Sequence, residues 1–208
     1  MAHYFDNDPS VRSDRRNIGY RQYGRDFRFV TDSDVFSRSE VDKGTDVLLS
    51  SAIKDIKERG ARKGEKLLDL GCGYGVVGTV MASVFVNFEI TQVDVNRRAV
   101  ALSKENASLN GVKIEKCVES DVLSALGEGE MFDVVITNPP VRAGKKTVFA
   151  FYDQAFEHMN PGSSIYVVLQ RKQGAPSSFK KLEELFGNCE TLEISGGYHV
   201  MKSVKEGA

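Results

Sequence analysis

From residue 66 to residue 170, short apolar runs alternate with stretches of helical periodicity, and no other feature limits the possible folds as tightly. "KLLDL" is a strand-length run, and "VVGTVMASVF" follows it at helical spacing. "FEITQVD" is a second strand; "NRRAVALSKENASLNG" reads as a helix opened by Asn96 and closed by Gly111. "VKIEKCV", "MFDVVIT" and "SIYVVLQ" are further strands, with a helix expected over Val148–Met159 and an amphipathic one in "SSFKKLEELFG". Strands separated by helices are joined by crossovers, which gives a mostly parallel sheet with helices on both faces, an α/β fold. The ending "CETLEISGGYHVMKSV" is different: two alternating runs meet at Gly196-Gly197, which predicts an antiparallel hairpin. Upstream, Val47, Leu48, Ile53 and Ile56 fall at helical spacing before a stop at Gly60. The expected division is an N-terminal basic and aromatic extension, residues 1–40, packed on the same domain as residues 41–208.

In sheets of this kind ligands bind beyond the carboxyl ends of the strands. The first strand runs into "LLDLGCGYGVVG", with glycines at 71, 73, 75 and 78. They are expected to clear side chains from between backbone and ligand, ahead of a helix N-terminus with free N–H groups. Gly73, Gly75 and Gly78 match the dinucleotide fingerprint, a weak signal alone. Asp69 separates the candidates. A carboxylate there repels a pyrophosphate and attracts a free amine, which favours S-adenosylmethionine over a nicotinamide dinucleotide. Asp94, at the end of the second strand, is placed to accept ribose hydroxyls. Asp121, after the third, suits an adenine amino group, with an N-cap of a short turn as the alternative.

The run "VVITNPPVRAGKK" then stops a buried strand on an amide and two prolines. A proline has no N–H and holds the residue before it extended, so Asn138-Pro139-Pro140 forms a stiff arch. The Asn138 amide oxygen and the Pro139 carbonyl become candidate acceptors for a planar exocyclic –NH₂ group. Holding both amine protons frees the nitrogen lone pair toward an electrophilic methyl, and alignment alone is worth roughly 7–11 kcal/mol in well-oriented systems.

Bulk properties allow one large domain of 208 residues and announce no nucleic-acid partner, because the formal charge is −1. Any such surface is local. Cys72, Cys117 and Cys189 are an odd, widely spaced set that fits a reducing, cytoplasmic setting. Cys72 is read as a small buried filler and His158 as structural. His3, His158 and His199 do not resemble a zinc site, and no metal is expected. "MAHYFDNDPS" does not read as a signal peptide, and no apolar run is long enough for a membrane span.

"DLGCGYGVVG", "VDVNRRAV" and "TNPPVRAGKK" resemble the class I S-adenosylmethionine-dependent methyltransferases of the small-domain type. Within them the chain is most similar to the RsmC-like group, which methylates guanine N2 in 16S ribosomal RNA. The resemblance extends to "FVTDSDVFSRSEVDKGTDVLL", "VLQRKQGAPS" and "GGYHVMKSV". It implies a Rossmann-like, seven-stranded, mostly parallel sheet whose last hairpin reverses direction. It implies S-adenosyl-L-methionine contacts from Asp69, Gly71, Gly73, Asp94, Asp121 and Asn138, and target-amine binding by Asn138 and Pro139. Many members carry an aromatic residue after the prolines to stack on the target base; here Val141 stands there. Phe29, Phe36 and Tyr198 are the candidates to replace it.

Three basic clusters are candidate RNA contacts, expected to border one mouth. Arg142, Lys145 and Lys146 follow the arch, and Arg171 and Lys172 follow the next strand. Arg12, Arg15, Arg16, Arg21, Arg25 and Arg28 outnumber Asp14 and Asp26 between residues 11 and 30, interleaved with Tyr20, Tyr23, Phe27 and Phe29. That mixture suits phosphate contact and base stacking; the alternative is a solvated hairpin whose aromatics pack on the core. The expected partner is ribosomal RNA or the small ribosomal subunit. Adenine N6, cytosine N4, a release-factor glutamine amide, a nicotinamide oxidoreductase and a non-catalytic RNA-binding factor are the competing readings.

Overall fold

The structure is a computed structural model and describes residues 12–207. His3 and the stretch read for a signal peptide lie outside those residues. The chain opens with a two-stranded hairpin, β1 (Arg16–Gln22) and β2 (Arg25–Thr31). After helix α1 (Lys43–Arg59) the alternation begins: β3 (Lys66–Leu70), α2 (Val76–Val84), β4 (Glu89–Asp94), α3 (Arg97–Leu109), β5 (Lys116–Glu119) and β6 (Phe132–Thr137). Then come α4 (Lys145–Glu157), β7 (Met159–Gln170), α5 (Ala175–Phe186), β8 (Glu190–Ser195) and β9 (Tyr198–Val204).

Seven strands form one sheet in the order β5-β4-β3-β6-β7-β9-β8. The pairs from β5 through β7 are parallel, and β9 runs antiparallel to both β7 and β8. The chain builds outward from β3 to β5, then returns to place β6 on the other side of β3. The topological switch point therefore lies between β3 and β6, where this class of sheet opens its ligand crevice.

Side-chain alternation sorts the core into two layers. Leu67, Val134, Ile136, Tyr166 and Val168 face α1, α2 and α3. Leu68, Val135, Ile165, Val167 and Leu169 face α4 and α5. Leu182 and Phe186 of the "FKKLEELF" helix are among the buried residues of the second layer.

Local signals locate most boundaries. The Asn96 side chain accepts from Arg98 N and Ala99 N, which caps α3. Gly196 and Gly197, at φ 57° and 83°, make the β8–β9 turn. Other boundaries differ from expectation. α4 starts three residues before Val148, because Gly144 ends a short 3₁₀ turn at Val141–Ala143 and releases the chain into the helix directly. β5 keeps only the last half of "VKIEKCV", since its pairing with β4 begins at Lys116.

The N-terminal hairpin is held on α3 by two amides. Asn106 accepts from Val30 N (2.7 Å) and donates to Val30 O (2.9 Å); Asn110 does the same for Arg28 (3.0 and 2.7 Å). Residues four apart on a helix thus imitate a neighbouring strand for residues two apart on β2. Phe27 and Phe29 are buried beneath.

Candidate functional site

Beyond β3 the chain turns through Gly71–Gly75 into α2. Gly71 N and Cys72 N both donate to Val93 O at 2.9 Å, which sews the turn to the end of β4. Asp94 completes the seam: Oδ2 accepts from Gly73 N and Oδ1 from Asn96 N, both at 2.8 Å. Both carboxylate oxygens of this buried residue thus serve backbone donors of the turns at this rim. Asp121 is exposed on the adjacent strand end, and Ser120 N beside it donates to Asp94 O.

The glycines divide by role, which corrects the expectation that all of them face a ligand. A Cβ on Gly73 would meet nothing within 4 Å, so this position borders open space. A Cβ on Gly75 would strike Ser103 of α3, and one on Gly78 would strike the Gln92 side chain. Those two glycines let α2 approach its own protein. Gly71 faces Phe151 of α4. Cys72 is buried, as its reading as a filler requires.

Asp69 is 2% exposed. Its Oδ2 accepts from Gly78 N (2.9 Å) and from Gln92 Nε2 (3.0 Å), and Ser103 Oγ donates to Gln92 Oε1 (2.8 Å). No described donor reaches Oδ1. Burial raises the Asp69 pKa to about 6, and nearby Asp94 adds to the rise, against the lowering by its two donors. The folded carboxyl holds its proton above the ordinary carboxylate range. The resulting stability is full below about pH 4 and is lost as pH rises through about 6. A cationic ligand selects the ionised form. Its affinity is therefore expected to fall roughly tenfold per pH unit below about 6, with proton release on binding. Calorimetry with a methyl-donor analogue in two buffers of different ionisation heat measures both; a flat affinity from pH 5 to 8 refutes the linkage.

Across the switch point, Thr137 Oγ1 donates to Leu70 O (2.7 Å) and ties the end of β6 to β3. The arch follows. Pro140 lies at φ −75° and ψ 80°, and Val141 N donates to Pro139 O at 2.9 Å. This is an inverse γ-turn. Neither proline has an N–H to give, but Val141, just past them, takes one of the two lone pairs of the Pro139 carbonyl. Pro139 is buried, while Asn138 and Pro140 are half-buried. Asn138 Nδ2 donates to Asp42 Oδ2 (3.1 Å) and to Thr45 Oγ1 (3.0 Å). Asp42 also caps α1 by accepting from Thr45 N.

The rim around Asn138 draws on several loops. Arg142, Lys145 and Lys146 are exposed after the arch; Arg171 and Lys172 are exposed after β7. Arg171 N donates to Gly197 O (2.9 Å), which brings the β8–β9 turn alongside. Lys43 lies over Gly196, and the Tyr198 ring lies over Gly44 in the first turn of α1. The segment between β2 and α1 crosses the same end: Asn96 Nδ2 donates to Asp34 O (2.9 Å) and Tyr74 Oη to Ser37 O (3.3 Å). Phe36 on that segment is 51% exposed, whereas Phe29 is fully buried and is excluded as a base-stacking residue. Val141 packs on the α4–α5 core layer.

The arginine-rich hairpin does not border this mouth as a whole. Arg25 donates to Ser83 O at the last turn of α2, and Lys57 near the end of α1 covers Tyr23. Both helices start at the carboxyl rim, so these contacts lie at the opposite edge of the sheet. Tyr20 donates to Asp46, and with Phe27 and Phe29 inside, the aromatics of the hairpin serve mainly packing. His158 Nδ1 bonds Glu130 O, a structural contact. Among the described residues no group of three or more His, Cys, Asp or Glu is placed to hold a metal ion, and no helix is long and apolar enough to cross a membrane.

Sequence reasoning missed Asp42, Thr45 and Lys43. The available signal was an N-cap residue, Asp42, opening the helix that precedes β3.

Comparison with known proteins shows the family. The family described as "Methyltransferase small domain" matches residues 26–202. The uncharacterized protein YbxB of Bacillus subtilis is 41% identical over 203 residues, 98% of both chains. Ribosomal RNA small subunit methyltransferase C of Cronobacter sakazakii is 35% identical over 174 residues, 82% of this chain and 47% of that protein. The chain thus spans about half the length of that relative. The solved structure of the Thermus thermophilus 16S rRNA N2 G1207 methyltransferase, in complex with AdoMet and guanosine, superposes with a TM-score of 0.85 at 28% identity, over 95% of this chain and 52% of that one. By its match over residues 26–202 and by fold and sequence across most of its length, this chain belongs to the methyltransferase small domain family.

Proposed function

We propose that the protein transfers a methyl group from S-adenosyl-L-methionine to an exocyclic amine of RNA, guanine N2 of the small-subunit ribosomal RNA. The observation that carries this reading is the Asn138 amide, held at the switch point beside a glycine turn whose Gly73 leaves open space. The residues present fit the cofactor: Asp94 offers acceptors to a ribose, Asp69 a carboxylate to an amine, Asp121 an acceptor to an adenine, and Gly73 a bare backbone beside open space. When bound, S-adenosyl-L-methionine supplies an electrophilic methyl carbon on a sulfonium. The chain's contribution is orientation. Asn138 Oδ1 and the remaining lone pair of the Pro139 carbonyl accept the two N–H bonds of the acceptor amine. That pulls its hydrogens out of the ring plane and aims its lone pair at the methyl carbon. Phe36 and Tyr198, both at the rim, are the residues available to stack on the base.

Arg142, Lys145 and Arg171 hold the phosphates around the extruded nucleotide, with Val141 as part of the pocket wall. Extrusion costs a few kcal/mol, which charge complementarity offsets. Arg142→Glu and Lys145→Glu are expected to weaken RNA binding and to lower the slope of log affinity against log salt by about one each. Cofactor affinity should hold. Unchanged RNA affinity in both variants, measured by filter binding across a salt series, removes this surface assignment.

The function itself is tested by incubating the protein with labelled methyl donor and ribosomal RNA or small subunits from a strain lacking the gene. Nucleoside mass spectrometry then identifies the product. N2-methylguanosine is expected; label only in N6-methyladenosine, in N4-methylcytidine or in protein moves the acceptor to another planar amine.

A further inference from the structure

We propose that Asp42 is a positioning residue for this reaction: its carboxylate, with the Thr45 hydroxyl, decides which end of the Asn138 amide meets the acceptor amine. The inference rests on the function proposed above and deepens it. An Asn side chain is nearly symmetric in shape but opposite in chemistry at its two ends: Nδ2 donates and Oδ1 accepts. Catalysis by Asn138 requires the oxygen to face the substrate. A flipped amide would present N–H groups to the N–H groups of the amine.

The structure removes that ambiguity. Nδ2 lies 3.1 Å from Asp42 Oδ2 and 3.0 Å from Thr45 Oγ1. An ionised carboxylate only accepts, so it binds the –NH₂ end and repels the oxygen end. Oδ1 is left at the other corner of the planar group, and no described donor reaches it. It is not among the buried polar atoms without a partner, so it opens to solvent. Asp42 is itself anchored, because the same Oδ2 accepts from Thr45 N as the N-cap of α1. Two residues of one helix start, Asp42 and Thr45, thus fix the polarity of an amide more than ninety residues away. Asp42 does not touch the substrate; it acts through Asn138.

The capping chemistry supplies a clean test. The same Oδ2 serves the cap and Asn138, so an Asn here would keep both contacts. Ser is as good an N-cap as Asp; Asp42→Ser keeps the start of α1, but its shorter side chain withdraws the carboxylate oxygen from Asn138. The Thr45 hydroxyl that remains donates as readily as it accepts and selects neither end of the amide. The expected result is a fall in kcat on the order of ten- to a hundredfold, the range of a misplaced reacting group. KM for RNA, cofactor affinity and melting temperature should stay at wild-type values. Thr45→Ser should retain activity. A second measurement needs no turnover: in the cofactor-free protein labelled with ¹⁵N, the Asn138 side-chain amide protons should exchange slowly in wild type and rapidly in Asp42→Ser.

Wild-type kcat in Asp42→Ser, or equally slow amide exchange in both proteins, overturns the positioning role. A kcat loss matched by loss of cofactor affinity or melting temperature also overturns it, because that pattern describes a structural residue. Absence of transfer to RNA by the wild-type protein overturns the acceptor reading instead, and the exchange measurement still decides what Asp42 does to Asn138.

Discussion

Asn138→Ala is expected to lower methyl transfer by on the order of 10²–10³-fold, the cost of removing one preorganised hydrogen-bonding group from a reacting centre. Most cofactor binding should survive, because Asp94, Asp69 and the Gly71–Gly73 turn lie on other strand ends. The substitution removes an acceptor that no backbone movement replaces. The prolines fix the arch, and the Pro139 carbonyl already serves Val141 N. It also strips a partner from Asp42, which is half-exposed to water and still accepts from Thr45 N, so the stability cost should stay near ~1 kcal/mol. Single-turnover transfer, cofactor calorimetry and thermal melting separate these quantities. Activity within tenfold of wild type would deny Asn138 its role.

How much of this was legible in the sequence follows the range of the physics involved. Asn96 as a cap, Gly60 as a stop and Gly196-Gly197 as a hairpin turn obey rules that act over a few residues, and each appears where expected. The strand–helix alternation delivered the sheet, and the rule about strand ends delivered Asp69, Asp94, Asp121 and Asn138 to one edge of it. Tertiary pairing was not legible. Nothing near Asn138 in sequence indicates that its amide meets Asp42 and Thr45, 96 and 93 residues away. The hairpin posed the same difficulty. Its arginines and aromatics alternate as an RNA surface would, and only the packing shows Phe27 and Phe29 buried and Tyr20 packed on the core, with Tyr23 left exposed. A signal was present elsewhere: Asn106 and Asn110 put two amides on one face of α3, where a helix covering a sheet would otherwise be apolar. Those amides are what dock the hairpin.

The glycine turn offers the second large effect, and it splits stability from binding. Gly75→Ala should destabilise the fold by about 2–5 kcal/mol. Gly75 sits at φ 89°, where a side chain costs about 1–2 kcal/mol. Its new Cβ would lie 3.0 Å from the Ser103 Cα, a backbone atom of α3 that cannot rotate away. Overpacking of that kind costs about 1–3 kcal/mol more. The disturbance reaches Asp69, since Ser103 donates to Gln92 and Gln92 to Asp69. At about 2–4 °C per kcal/mol for a chain of this size, the melting temperature should fall by roughly 4–20 °C. Gly73→Ala is the counterpart. It also has a positive φ, 54°, but its Cβ would meet nothing within 4 Å. Its fold should lose only the backbone penalty of about 1–2 kcal/mol, while the methyl group intrudes on the open space assigned to the cofactor and weakens its binding. Chemical denaturation and cofactor calorimetry on the pair give the answer. If Gly73→Ala binds cofactor as wild type does, or if Gly75→Ala melts with wild type, the division of labour within the turn is wrong. Wild-type cofactor binding in Gly73→Ala would in addition move the methyl donor away from the open space at Gly73.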